Sequence, residues 1–470
     1  MLSVFVFVFY ALGIGSAIEA VMTVRTSQGA VAWAVALVSF PFLSVPAYWV
    51  FGRSKFEGFL EAYEANKAEI DSVVNEMHQN LNTDALQPSR PAPAYDAIRA
   101  LTGHRLVGRN DVELLINGER TFDSILAGIA AASDYVLVQF YMIHDDGLGR
   151  RLQNALIERA KAGVRVFLLY DEVGSSGLPA SYIARLTDAG AEVSSFRPTQ
   201  GFRNRFQINF RNHRKIVVVD GEIGWVGGHN VGDEYLGLDA DFSPWRDTHV
   251  RIEGPAAIQL QSVMLSDWYW ATRTLPELNW QPEPADDNDM LAMIIPSAPT
   301  QKLETAGLMY VLALNEAKKR IWLTAPYFVP DEAVMKALEL AALRGVDVRI
   351  ILPGKGDSML VFLAAYHYVA RLANLGIRFY EYVPGFLHEK VALIDDDTSL
   401  VGTANFDNRS FRLNFEVTAM VYDAAFAKKM EKMLRADFKH SRQLVAEDLD
   451  KRSFWWRLKV SVAALASPAL

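Results

Sequence analysis

Two long apolar runs open the chain. Residues 2–22 carry one charge, Glu19, and residues 29–51 carry none. A membrane-spanning helix needs roughly 20 apolar residues, so both runs qualify. The link at 23–28 is short enough for a helical hairpin, and Pro41 and Pro46 are tolerable if neighbouring groups satisfy the freed carbonyls. A cleaved signal peptide would open with a basic segment; this chain opens Met1-Leu2-Ser3-Val4, and its second run has stop-transfer character. Next, residues 56–82 are charged with helical spacing at Phe56, Phe59, Leu60 and Tyr63, which predicts a connecting helix at the membrane surface. Pro88, Pro91 and Pro93 mark a linker over 83–94.

Beyond the linker the pattern repeats. YVLVQFYM (135–142) and RIWLTAPYF (320–328) read as buried parallel strands. A helical pattern precedes each, at 121–132 and 308–319. Another helix follows each, and then a strand opening with Gly-Val: AGVRVFLLYD (162–171) and RGVDVRIILPG (344–354). Strand and helix in alternation give βαβ units and an α/β fold. The predicted organisation is a hairpin at 1–55, a connector at 56–99, lobes at 100–285 and 286–445, and a C-terminal segment at 446–470. In that segment Trp455 and Trp456 sit beside Arg457 and Lys459. This reads as an amphipathic helix lying on the membrane, or as a helix packed on the body.

Composition narrows the chemistry. Of 470 residues 51% are hydrophobic and 22% charged, which excludes a disordered chain. A net charge of -8 argues against a general nucleic-acid binder. There is no cysteine, so disulfides, thiolate catalysis and Cys-ligated metals are excluded. Arg25 lies between the apolar runs while Arg53 and Lys55 follow them, which puts the body in the cytoplasm.

The repeat carries a reactive constellation twice. HRKIVVVD (213–220) gives His213, Lys215 and Asp220; HEKVALID (388–395) gives His388, Lys390 and Asp395. Seven residues past each Asp a glycine opens a turn ending in Asn230 or Asn405. One such triplet arises by luck in roughly 3% of chains this long; two, with matching turns inside matching repeats, do not. Alternate strand residues share a face, so each His and Lys point together at the seam between lobes. Lys215, Lys390, Asn230 and Asn405 can stabilise the charge that develops on an attacked phosphodiester without a metal. The two aspartates lie at the far end of their strands, where a structural hydrogen-bonding role is expected. Asp247 and Glu416 each follow a motif His by roughly 30 residues, on the next strand of the same lobe, and are the candidates to orient the imidazoles. Arg203, Arg205 and Arg211 stand among Phe202, Phe206 and Phe210 and read as a dock for anionic headgroups, or as a solvated loop.

The duplicated His-x-Lys-x4-Asp motif, with NFRNHRKIVVVDG, WRDTHVRIEGP, TAPYFVPDE and GTANFDNRSFRLNFE, resembles the bacterial cardiolipin synthases of the phospholipase D superfamily over nearly the whole chain. The resemblance implies two phospholipase D-like βα lobes forming one pseudo-twofold body behind a transmembrane hairpin, in the bacterial inner membrane. It implies reversible phosphatidyl transfer between two phosphatidylglycerol molecules, giving cardiolipin and glycerol through a phosphohistidine, with no cofactor. His213 is then assigned as nucleophile and His388 as acid/base, although the two copies are nearly symmetric. Expected partners are phosphatidylglycerol, cardiolipin and an anionic membrane, not nucleic acid; a homo-oligomer is left open. The rival readings are hydrolysis by the same site, or transfer to another alcohol.

Overall fold

The computed structural model describes the chain except residues 1, 25, 53–55, 84–85, 87–94, 198, 200–208, 286–287 and 446–451. The first apolar run is one helix, Leu2–Thr23. The second does not continue unbroken as expected. It divides into Ser27–Ser39, Pro41–Ala47 and a π turn at Tyr48–Gly52. The cause is Pro41: a proline drives the residue before it out of the helical region, and Phe40 takes φ -135°, ψ 57°. Among the described residues one helix, over Val4–Thr23, is long and apolar enough to cross a membrane. The hairpin helices pack on one another through a small core of Ala17, Ala20, Leu37, Val45 and Tyr48. They come close at Gly13, where an added Cβ would lie 2.5 Å from the Leu37 carbonyl oxygen. Arg25, Arg53 and Lys55, on which the orientation rests, lie outside the described residues.

The connector is two helices, Glu57–Ala65 and Lys67–Leu81. Their apolar face enters the core of the body rather than resting at its surface. Phe56 is buried among Phe196, Phe210, Trp270 and Phe415, and Met77 and Leu81 belong to the same cluster.

Among the described residues, the first lobe contributes β1 (Val107–Ile116), β2 (Tyr135–Phe140), β3 (Arg165–Asp171), β4 (Glu192–Phe196), β5 (Arg211–Asn212), β6 (Ile216–Val219), β7 (Ile223–Gly227), β8 (Trp245–Arg246) and β9 (Thr248–Glu253). The second lobe contributes β10 (Met290–Ser297), β11 (Arg320–Thr324), β12 (Phe328–Val329), β13 (Asp347–Pro353), β14 (Arg378–Tyr382), β15 (Phe386–Leu387), β16 (Val391–Ile394), β17 (Thr398–Gly402), β18 (Phe406–Asp407), β19 (Asn414–Tyr422) and β20 (Ser441–Leu444). The main sheet runs β4-β3-β2-β6-β7-β9-β1 and then β10-β19-β17-β16-β11-β13-β14-β20. The two halves have the same strand order and meet where β1 pairs with β10, Val107 opposite Ala292. The duplicated α/β body read from the sequence is therefore present. β2, fully buried, is followed by the helix Gly147–Lys161 and then parallel β3; β11 leads through Glu332–Leu343 to parallel β13.

Two short pairings cross between the lobes. β5 of the first lobe pairs with β19 of the second, and β15 of the second pairs with β8 of the first. Each lies immediately before a motif histidine. The C-terminal helix Phe454–Ala464 packs on Met359–Ala373, with Trp456 against Tyr366 at 5.5 Å, and leaves Phe454, Trp455, Leu458 and Val462 exposed.

Candidate active site

The crossing strands set the two histidines. His213 N–H donates to the Phe415 carbonyl (2.9 Å), and His388 N–H to the Arg246 carbonyl (2.8 Å). Each imidazole thereby lies against the opposite lobe and takes its acid from there. His213 Nδ1 is 2.9 and 3.0 Å from the Glu416 carboxylate oxygens; His388 Nδ1 is 2.7 Å from Asp247 Oδ2. Asp247 and Glu416 each meet a motif imidazole, but that of the opposite lobe rather than their own as expected. The pairing is crossed because β5 and β15 have no partner at home and add to the other half.

Both carboxylates are fully buried. Glu416 accepts from Thr403 Oγ1 (2.6 Å) and Asn414 Nδ2 (3.0 Å). Asp247 Oδ1 accepts from Thr248 N–H (2.8 Å) and lies so close to the first glycine turn that a Cβ on Gly228 would be 2.0 Å from it. Burial alone would raise both acids. The His213 charge and hydrogen bond outweigh it at Glu416, and the charges of His229, Lys390 and His388 outweigh it at Asp247, so both stay below the ordinary carboxylate range.

The lysines lie beneath. Lys215 Nζ donates to the His213 carbonyl (2.7 Å) and Lys390 Nζ to the His388 carbonyl (2.6 Å); Lys390 Nζ is also 3.0 Å from each ring nitrogen of His388. Burial drives Lys215 well below its usual value and Lys390 down to about 8. Burial lowers His213 to about 4; burial and then the Lys390 charge lower His388 to about 3. At neutral pH both imidazoles are uncharged. Each donates an Nδ1–H hydrogen bond to a carboxylate and keeps a lone pair on Nε2.

Both histidines open on one cleft of about 580 Å³. Asn230 and Asn405 line it but are not equivalent. Asn230 is tied to Tyr235 OH (2.8 Å) and accepts from Met142 N–H (3.3 Å), whereas the Asn405 amide oxygen is buried with no partner among the described residues. Asp220 and Asp395 are elsewhere. Asp220 accepts from the N–H groups of Ser133, Asp134 and Tyr135, and Asp395 from those of Lys318, Lys319 and Arg320. Both hold left-handed turns, φ 54° and 52°, and each clasps the start of the neighbouring strand. Their place in the motif is architectural, and a catalytic role does not fit it. Arg211 lines the cleft; Arg203 and Arg205 lie outside the described residues.

Other lining groups had no signal in the sequence. Tyr141 packs edge-on to His213 at 5.1 Å. Arg409 reaches Asn209 across the seam. His144, Asp146 and Glu234 converge within 4.8 Å at one side, with His144 Nδ1 3.3 Å from Glu234. Glu234 is distant from the other two in sequence, and no ligand-like spacing announces the group. Asp146 is already engaged, accepting from Gly149 and Asp233 N–H groups.

Residues 125–268 and 310–438 match the family described as cardiolipin synthase, PLD-like domain. Cardiolipin synthase A of Pseudomonas putida is 47% identical over 464 residues, covering 98% of this chain and 97% of that protein. Cardiolipin synthase A of Pseudomonas fluorescens is also 47% identical, covering 98% and 96%. Among solved structures, a phosphatidylserine synthase from Haemophilus influenzae superposes with a TM-score of 0.59 at 12% identity, over 81% of this chain and all of that one, a likeness of fold. With the doubled motif, the pseudo-twofold sheet and the crossed histidine–carboxylate pairs, these matches mean that the chain belongs to the bacterial cardiolipin synthases, phosphatidyltransferases of the phospholipase D superfamily.

Proposed function

We propose that this site exchanges the alcohol of a phosphatidyl group by double displacement, joining two phosphatidylglycerols into cardiolipin and releasing glycerol. The observation that carries the reading is the pair of crossed dyads, His213–Glu416 and His388–Asp247, on one cleft above two buried lysines. In the sequence-based assignment His213 Nε2 attacks phosphorus, forming a P–N bond as the P–O bond to glycerol breaks. The departing oxygen takes a proton from Lys390 by way of His388 Nε2, which lies 3.0 Å from Nζ, and His388 then takes one from the incoming hydroxyl as that oxygen displaces the imidazole. Lys215 and Lys390 face the charge on the equatorial oxygens, a role often given to a metal. Asn405, with its amide uncommitted, is the better placed of the two asparagines to assist.

Membrane anchoring through the apolar helix Leu2–Thr23 would bring the cleft to lipid. The exposed apolar side of Phe454–Ala464, next to Arg457 and Lys459, supplies a second contact for an anionic bilayer. The count of basic residues supports a cytoplasmic body on the bacterial inner membrane.

The test is mass spectrometry of the lipids formed from phosphatidylglycerol liposomes. Cardiolipin should exceed phosphatidic acid, and added glycerol should drive cardiolipin back to phosphatidylglycerol, since one phosphodiester replaces another. Predominant phosphatidic acid in intact bilayers would make water the acceptor and the protein a phospholipase.

A further inference from the structure

The two halves of the repeat bring matched catalytic groups to the cleft but unmatched flanks. Arg211 stands two residues before His213, whereas Phe386 stands two residues before His388. Four residues after Asn230 comes Glu234; four after Asn405 comes Arg409. All four flanking residues line the cleft. One end is cationic and the other aromatic and acidic.

The cationic end is built across the seam, with one guanidinium from each lobe. Arg409 lies half-buried on the helix Asn408–Arg412 and donates to Asn209 Oδ1 (2.9 Å) and to the Asn209 carbonyl (2.6 Å). Among the described residues it has no carboxylate partner within ion-pair distance. Burial, and then the charge of Arg211 nearby, makes its cation harder to keep. Beside it Asn405 and Asn414 each hold a buried amide oxygen with no partner. Two like charges at one end of a cleft, with uncommitted polar groups, suit an anion that also brings hydroxyls.

The reacting phosphodiester already faces Lys215 and Lys390, so the guanidiniums answer a second negative charge. The reaction supplies one, because the acceptor lipid carries its own phosphodiester on the far side of the glycerol whose hydroxyl attacks. We propose that Arg211 and Arg409 form a second phosphate subsite, which holds the unreacting phosphodiester of the acceptor lipid. This rests on the transfer reading above. The acceptor oxygen forms its bond to phosphorus as the P–N bond breaks, and its proton passes to the other imidazole. Arg211 and His213 lie on one face of an extended segment, about 6.6 Å apart. Two phosphorus atoms joined through glycerol are six bonds apart, so a phosphate one glycerol away is within reach of the guanidiniums. Water has no such phosphate, and the subsite therefore favours lipid over hydrolysis.

The test compares two soluble acceptors, isotope-labelled glycerol and glycerol 3-phosphate, with short-chain phosphatidylglycerol as donor and the full-length enzyme. Wild type should use glycerol 3-phosphate with at least tenfold higher kcat/KM. Arg409→Gln and Arg211→Gln should each bring that ratio close to one while labelled glycerol is still incorporated. Arg211→Gln keeps the link between Arg409 and Asn209, so it carries the test if the Arg409 variant does not fold. Equal use of the two acceptors by wild type, or an unchanged ratio in the folded variants, overturns the subsite alone. Formation of phosphatidic acid only, with neither acceptor incorporated, overturns the transfer reading and the subsite with it.

Discussion

His213 and His388 share one local design, an imidazole between a buried carboxylate at Nδ1 and an open cleft at Nε2. Removing the Glu416 or Asp247 charge should misorient one ring and leave the fold in place. Glu416→Gln and Asp247→Asn are each expected to lower kcat about 10²-fold with KM close to wild type; losses below twofold in both would make these acids bystanders. The ionisations also set a pH range. His213, lowered to about 4, loses its lone pair as pH falls through that value. Lys390, lowered to about 8, keeps its charge below that value and loses it above. Lys390 Nζ, 3.0 Å from both ring nitrogens of His388, is the cation that loses its charge on the alkaline side. For a soluble short-chain substrate kcat/KM should therefore fall on the acid side near pH 4 and on the alkaline side near pH 8. Lys390→Arg, which stays charged, should remove the alkaline fall, and its persistence would exclude Lys390 as the group. The histidines and lysines were legible because one residue pattern occurs twice. Arg409 was not, since a lone arginine in a polar turn has no periodicity to mark it.

At the scale of the element, the middle residue of each motif points away from the cleft and fastens its strand. Arg214 donates to Asp267 Oδ1 and Oδ2 (2.7 and 2.8 Å) on the helix Pro255–Thr272, and to the carbonyls of Glu416 and Ser297 in the other lobe. In the second copy Glu389 meets Arg246, which also holds Asp437 on Ala424–Lys439. Removing one partner of a buried ion pair strands the other. Asp267→Ala should cost about 3–5 kcal/mol in unfolding free energy, read by denaturant titration. A cost below about 1 kcal/mol is what a solvated pair would give. The long strands could be read from their apolar, β-branched runs. β5 and β15 could not: two residues carry no period, and no pattern within a strand tells which lobe it will join. That is why Asp247 and Glu416 were singled out but each was matched to the other's histidine. The break at Phe40 had its signal in Pro41, and hydropathy alone passed over it.

Over the whole molecule, one continuous sheet makes the catalytic body a single piece, while the hairpin keeps a core of its own. Ala17, Ala20, Leu37, Val45 and Tyr48 form a cluster with no member from the body. Phe56, four residues past Gly52, is already in the aromatic centre of the body. A cut ahead of Phe56 therefore removes the apolar N-terminal helices and spares the packing that holds the crossed dyads. Retention of lipid at the cleft should suffer most, because water is abundant in solution and the acceptor hydroxyl is concentrated only at the bilayer. Deleting residues 1–52 is expected to leave turnover of short-chain phosphatidylglycerol within about threefold of the full-length enzyme, a change of less than about 1 kcal/mol in the barrier. On liposomes cardiolipin formation should fall at least tenfold, with phosphatidic acid making up a larger share of the product. Equal losses on both substrates would mean that the hairpin supports the body, and no loss on liposomes would leave the C-terminal helix Phe454–Ala464 as the element that brings the cleft to lipid.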